Sequence, residues 1–325
     1  MSGKLLDISG LSVAFRTRRG PLRALRNVSL GVGKGEIVGI IGESGCGKST
    51  LINSIIGLLP ANAEKPTGQI RFADEEIVGM PQGRLQQLRG ERITTIFQDP
   101  MTALNPVLSI GTQMTAIQYR RAGNTAQKRR RAIEFLEKVR VPDARSRLDQ
   151  YPHQFSGGMR QRICIAMALL TEPDLLIADE PTTALDATLE VQVIRLIREL
   201  QRDIGCSVLF ISHHLGAVAE LCERVAIMYA GEVVEQGPVR DIFHDPRHPY
   251  TRKLLECDPG RVLEPLPRLP TIGGELPDLV RLPQGCIFEA RCPDRFARCR
   301  VRPPVETVRP GHDAACYKAR ELVNP

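Results

Sequence analysis

Short apolar runs separated by stretches of helical period recur from residue 5 to about residue 211. Residues 5–40 alternate brief apolar and polar runs, the pattern of β-strands. Within them Ile37-Val38-Gly39-Ile40-Ile41 is an apolar run and predicts a buried strand, and Thr50–Ile56 predicts a helix after it. Ile93-Thr94-Thr95-Ile96-Phe97 predicts another strand, ending at Gln98. The texture changes over about 105–170, where Ala132, Ile133, Leu136 and Val139 give residues 125–139 one apolar helical stripe. Leu175-Leu176-Ile177-Ala178 predicts a central parallel strand, 189–203 a helix and Val208-Leu209-Phe210-Ile211 the next buried strand. Strands alternating with helices predict an α/β fold around a parallel sheet. Beyond them, Pro259, Pro265, Pro267, Pro270, Pro277 and Pro283 predict a linker or irregular tail.

The length of 325 residues leaves room for one large domain and a smaller one. No apolar run approaches the roughly 18–20 residues that span a bilayer, and Lys4 with Asp7 is not the start of a secretory signal. The expectation is a cytoplasmic chain, whose nine cysteines serve as thiols or metal ligands rather than a disulfide framework. The net charge of +7 is compatible with an anionic partner or with an ordinary basic surface. No basic run is interleaved with aromatics, so no nucleic-acid partner is expected.

The chemistry concentrates in Gly42-Glu43-Ser44-Gly45-Cys46-Gly47-Lys48-Ser49, which fits G-x-x-x-x-G-K-[ST] between a strand and a helix. Glycines there let successive backbone N–H groups curl around a polyphosphate, and the helix N-terminus adds positive potential. Lys48 can reach the outer phosphates, and the Ser49 hydroxyl can ligate magnesium. Asp179 and Glu180 end the apolar strand 175–178, at the edge where α/β proteins bind ligands. Asp179 would hold magnesium through water and Glu180 would polarise the attacking water; the plain alternative is an acidic turn. Ser156-Gly157-Gly158 opens an apolar helix and suits either a phosphate or a simple N-cap. Gln98 can sense magnesium or water, or merely end a strand; Asp186 can sit in a structural turn. His213 can face the γ-phosphate or be a surface histidine.

In this order the motifs resemble the ATP-binding subunits of ATP-binding cassette (ABC) transporters over nearly the whole chain. The resemblance implies a P-loop NTPase α/β domain over 1–255, with a β-subdomain and an inserted helical subdomain at about 100–170. It implies ATP and Mg²⁺ as cofactors and makes Gly42–Ser49 Walker A, followed by Thr50. Walker B is 175–179, the catalytic glutamate Glu180, the Q-loop residue Gln98 and the switch histidine His213. Ser156, Gly157 and Gly158 carry the signature, Asp186 the D-loop, and Phe15 the adenine-stacking position. Phe155 and Met159 stand where the family more often has Leu and Gln, and His214 where it has Asp. One ATP-binding domain implies a second ATPase subunit, a paralogue or a copy. Two permease subunits and an extracytoplasmic binding protein would complete the complex on the cytoplasmic face of the inner membrane. A soluble, non-transport cassette ATPase is the rival, but it usually carries two cassettes or a coiled-coil insertion; intact Glu180 and His213 oppose a purely regulatory module.

Tyr229–Glu235, His248-Pro249-Tyr250-Thr251, Gly274-Glu275-Leu276-Pro277 and a cysteine-bearing tail resemble the oligopeptide and dipeptide importers. That group also includes carriers of glutathione, opines, antimicrobial peptides, nickel or oligosaccharides; its nickel members lack the tail, which favours peptides. In the extension 256–325, Cys286, Cys292, Cys299 and Cys316 predict a metal staple, with His312 as a substitute ligand; the plain alternative is four unlinked thiols. Four thiolates suit zinc or a [4Fe–4S] cluster. The resemblance favours the cluster, because peptide-importer ATPases with such a tail can carry one.

Overall fold

The computed structural model describes residues 3–183, 185–258, 260 and 270–321. Pro259, Pro265 and Pro267 of the proline-rich stretch lie outside the described residues. The early strands are β1 (Lys4–Thr17), β2 (Gly20–Gly33), β3 (Ile37–Ile41), β4 (Thr67–Phe72) and β5 (Glu75–Glu76). Those of the middle are β6 (Ile93–Ile96), β7 (Leu175–Asp179) and β8 (Ser207–Ile211). Last come β9 (Arg224–Tyr229), β10 (Glu232–Pro238), β11 (Glu306–Arg309) and β12 (His312–Ala314). The helices begin with α1 (Lys48–Ile55), α2 (Gln82–Leu88), α3 (Pro100–Ala103), α4 (Ile110–Ala116) and α5 (Thr125–Lys138). They continue with α6 (Ala144–Arg147), α7 (Gly157–Leu169), α8 (Ala187–Ile204), α9 (Leu215–Leu221), α10 (Val239–His244) and α11 (Pro249–Glu256).

The chain divides into two compact units. One holds Val32–Glu36 and Met80–Ile211, with the start of the chain to Leu5; the other holds Leu6–Gly31, Ile37–Gly79 and Ser212–Pro325. In the first, β7 lies between β6 and β8, all parallel, with Ile93 opposite Leu175 and Leu175 opposite Ser207. Leu175–Ala178 and Val208–Ile211 are fully buried, which is why they read as unbroken apolar runs. Helices α3 to α7 fill the chain between β6 and β7. On α5 the buried residues are Ala132, Phe135 and Leu136, while Ile133 is only half-buried. The true i, i+3, i+4, i+7 stripe is therefore 132, 135, 136 and 139, and Phe135 takes the place expected for Ile133. Helix α8 buries Val193, Ile194, Leu196, Ile197 and Leu200 on one face and stops at Gly205, in the left-handed conformation that suits glycine.

In the second unit β3 and β9 are parallel, and β10 runs antiparallel to β9. A separate antiparallel sheet has the order β2-β1-β4-β5. The tail, expected to be irregular, is so only in part. Its hairpin β11–β12 continues the sheet, with β12 antiparallel to β10 and Glu235 opposite Ala314. These strands are three and four residues long and mostly polar, so no local pattern announced them. Among the described residues no helix is long and apolar enough to cross a membrane.

Candidate nucleotide site

The phosphate loop joins buried β3 to α1. Gly47 caps α1 in the left-handed region at φ 105°, and a Cβ there would lie 2.8 Å from the Ala24 carbonyl, so only glycine fits. A Cβ on Gly42 would meet the Met228 carbonyl oxygen at 2.2 Å, which pins the loop against β9. Ser44, Gly45 and Ser49 are exposed and Thr50 half-exposed, so the outer rim of the loop is open. The buried Lys48 folds back over it: its Nζ donates to the carbonyls of Gly42 at 2.7 Å and Glu43 at 3.3 Å. These carbonyls satisfy the ammonium where an anion would otherwise do so. Burial pushes the Cys46 thiol up, against the pull of Lys48, so it stays protonated.

The first unit carries the carboxylates. Asp179 is the last residue of β7, and Glu180 follows with φ 46°, a left-handed conformation that is costly for a residue with a Cβ. Its N–H donates to the Ile211 carbonyl at 2.9 Å, which ties the strained residue to the end of β8. Its Oε2 accepts from Gln98 Nε2 at 3.1 Å and from the Thr183 hydroxyl at 3.0 Å. Gln98 and Glu180, remote in sequence, are thus brought together. The Thr183 contact had no sequence signal of its own. The Gln98 and Thr183 side chains orient this half-buried carboxylate.

Ser156 caps α7, its hydroxyl accepting from the Met159 N–H at 3.3 Å, as the plainer reading held. Ser156 and Gly157 are nevertheless exposed, and a Cβ on Gly157 would meet nothing within 4 Å. A Cβ on Gly158 would press on Leu189 at 3.2 Å. Asp186 caps α8, accepting from the Leu189 N–H at 2.9 Å. In the second unit His213 is exposed after β8, with His214 edge-on at 4.4 Å between ring centroids, and Phe15 is half-buried on β1.

Cys286, Cys292, Cys299 and Cys316 line one pocket in the second unit. Among the described residues no group of three or more His, Cys, Asp or Glu side chains is placed to hold a metal ion. His312 does not join the cysteines: fully buried, its Nε2 lies 2.7 Å from Glu235 Oε1. Burial pushes the Cys286 thiol up to about 12 and those of Cys292 and Cys316 up to about 11. In the opposite sense, the N–H groups of Phe288, Asp294 and Lys318 hydrogen-bond to those same sulfurs, each from two residues further along the chain.

Residues 25–183 match the family described as ABC transporter, and residues 234–299 match the oligopeptide/dipeptide transporter C-terminal region. The dipeptide transport ATP-binding protein DppD of Bacillus subtilis is 46% identical over 97% of this chain and 94% of its own length. The oligopeptide transport ATP-binding protein OppD of Salmonella typhimurium is 44% identical over 98% of this chain and 94% of its own. The chain belongs to the ABC transporter ATP-binding proteins. As a member of that family it is an ATPase with a P-loop α/β fold. The solved post-hydrolysis dimer of the cassette MJ0796, bound to ADP and Pi, resembles it with a TM-score of 0.64 at 29% identity. That likeness covers 72% of this chain and 99% of the cassette.

Proposed function

We propose that this chain is the ATP-binding and ATP-hydrolysing subunit that powers import of di- or oligopeptides across the bacterial inner membrane. The observation that carries the cargo class is the peptide-transporter C-terminal match, together with relatives named for peptide transport over nearly the whole chain. On this reading 1–255 form the ATP-binding domain, with 100–170 as its helical subdomain, and 256–325 form the extension. The working complex pairs the chain with a second ATPase subunit, two permease subunits and a binding protein, and holds it at the cytoplasmic face of the membrane.

The phosphate-loop N–H groups and Lys48 bind the β- and γ-phosphates, and Phe15 stacks on the adenine. Ser49 and, through water, Asp179 with Gln98 would hold magnesium, which would supply positive charge to the phosphates. Glu180 takes a proton from the attacking water, oriented by Gln98 and Thr183 at the distances given above. His213 holds the γ-phosphate oxygens. Ser156, Gly157, Gly158 and Asp186 serve a partner subunit's nucleotide, which accords with an open Gly157. The catalytic contribution is positional and electrostatic, as phosphoryl transfer requires.

Cys286, Cys292, Cys299 and Cys316 are proposed to hold a [4Fe–4S] cluster that staples the extension. Zinc is the alternative at the same four thiols. What supports the reading is that the four thiols line one pocket and that three of them accept backbone N–H bonds, which would stabilise thiolate ligands. The cluster would supply metal–thiolate cross-links, with no part in ATP hydrolysis.

The test is the complete transporter in vesicles. ATP turnover should rise with peptide-loaded binding protein, and Glu180→Gln should keep ATP binding while losing roughly 10²–10⁴ in rate. Stimulation by nickel or glutathione but not peptide overturns the cargo; unchanged turnover overturns the role of Glu180.

A further inference from the structure

The peptide-importer motifs from Tyr229 onward are not used by the hydrolytic chemistry, yet three of them converge on the ion pair of Arg291 with Glu43 of the phosphate loop. Arg291 closes the short 3₁₀ turn Glu289–Arg291, directly before Cys292. Its Nη1 lies 2.8 Å from Glu43 Oε2 and its Nη2 3.1 Å from Glu43 Oε1, a two-pronged ion pair. Nη1 also donates to the Tyr229 hydroxyl at 3.3 Å, Nη2 to the Ile272 carbonyl at 2.9 Å, and Nε to the Gly273 carbonyl at 2.9 Å. A guanidinium has five N–H donors, and these five contacts use every one. The Arg291 side chain is 5% exposed. Burial acts to lower its pKa, but Glu43 and Tyr229 raise it on balance and keep it charged.

Each motif has a part in the arrangement. The Ile272 and Gly273 carbonyls come from the segment leading into Gly274-Glu275-Leu276-Pro277. Gly274 turns there at φ 80°, and a Cβ on it would press on Arg291 Cγ at 3.1 Å. Tyr250, from His248-Pro249-Tyr250-Thr251, accepts the Glu43 N–H on its hydroxyl at 3.2 Å. Its ring packs on Tyr229 at 4.6 Å and on Phe288 at 5.4 Å. All three rings are buried. Glu43 is therefore fixed twice, by its main chain and by its carboxylate, and both grips come from the C-terminal part of the second unit. The loop it belongs to must receive a polyphosphate, and an unpaired carboxylate there repels one. At roughly 10 Å and an effective dielectric near 20, one such charge costs about tenfold in affinity.

We propose that Arg291 is a positioning residue that acts on the nucleotide through Glu43: it cancels the charge of Glu43, so that the C-terminal extension governs affinity for polyphosphates. The inference rests on the reading of Gly42–Ser49 as the ATP loop. A merely structural arginine would lose nucleotide binding on removal whatever Glu43 was; a charge-cancelling one is rescued when Glu43 is neutral.

The test uses the full-length chain, with affinities for Mg-ATP, ADP and AMP measured by displacement of a fluorescent nucleotide. Arg291→Ala should weaken ATP about tenfold and AMP least. Glu43→Gln alone should bind ATP at least as well as the parent. Adding Glu43→Gln to Arg291→Ala should restore ATP affinity. Arg291→Lys, which keeps the charge but not the fork, should show a smaller loss, also relieved by Glu43→Gln; it serves if the alanine variant does not fold. Normal ATP affinity in the Arg291 variants, or a double variant no better than Arg291→Ala, overturns the proposal. Lys48→Ala separates the two readings. If it binds ATP normally, the loop assignment falls and this inference with it. If it binds weakly while the Arg291 variants are normal, the inference alone falls.

Discussion

Glu180 shows how a single residue acquires its chemistry from its setting. A carboxylate after a strand is commonplace, but a left-handed backbone, a bond to the end of β8 and the donors of Gln98 and Thr183 aim this one. Thr183→Ala removes one donor and should cost a few-fold in ATP turnover at unchanged ATP affinity, since only the orientation of the base is touched. A fall in affinity equal to the fall in rate would show that Thr183 acts on the ground state instead. Glu172 offers a pH-dependent check away from the site. Burial would raise its pKa, but the Arg121 and Arg131 guanidinium groups outweigh this and hold the carboxyl below its ordinary value. A depressed folded-state pKa gives stability above the unfolded pKa, about 4.3, that is lost as pH falls through the folded one. Its half-exposed side chain limits the effect to below about 1 kcal/mol. In urea titrations Glu172→Gln should be less stable than the parent at pH 7, with the gap closing toward pH 3.

At the scale of the elements, residues proposed to serve a partner's nucleotide also cap helices. Asp186 starts the 18-residue helix α8 by accepting the Leu189 N–H. Replacement by Ala should cost about 1 kcal/mol of stability, whereas Asn keeps the cap at little cost. If Asp186→Asn hydrolyses ATP slowly in the complex at normal stability, the carboxylate has a second role toward the partner subunit. If Asn restores both, Asp186 is a cap alone. The same question applies to Ser156 at α7, whose hydroxyl binds the Met159 N–H while the glycine beside it stays open.

For the whole molecule the decisive fact is that one chain presents one set of motifs. In complexes mixing parent and variant chains, Ser156→Arg should block hydrolysis at the partner's phosphate loop and spare ATP binding at its own. A defect confined to the variant's own nucleotide would refute the composite arrangement. The extension is the other whole-molecule feature. Cys286→Ser with Cys299→Ser should abolish bound metal and loosen the tail, read as faster proteolysis beyond residue 270. Anaerobically purified parent protein should be brown with about four irons per chain; colourless protein with stoichiometric zinc would move the assignment to zinc. ATP binding should survive without the cluster, because β3 and α1 have buried cores of their own, but weaken toward that of Arg291→Ala, since the loosened tail carries Arg291.

The sequence by itself determined what is local. Unbroken apolar runs were legible as β3, β7 and β8 because strands covered on both faces need no polar alternation. The phosphate loop was legible because its spacing and glycines are dictated by backbone geometry within eight residues. Tertiary structure decided what depends on partners distant in the chain. Gln98 meets Glu180 across 82 residues and Arg291 meets Glu43 across 248, and no window of sequence contains both members of either pair. The same holds for the polar hairpin β11–β12, which is a sheet only because β10 offers it an edge, and for His312, which a ligand count drew to the cysteines but which Glu235 holds. Periodicity and motif spacing report the forces a residue feels from its neighbours in sequence. Ion pairs, edge pairing and the assembly of a pocket are set by neighbours in space.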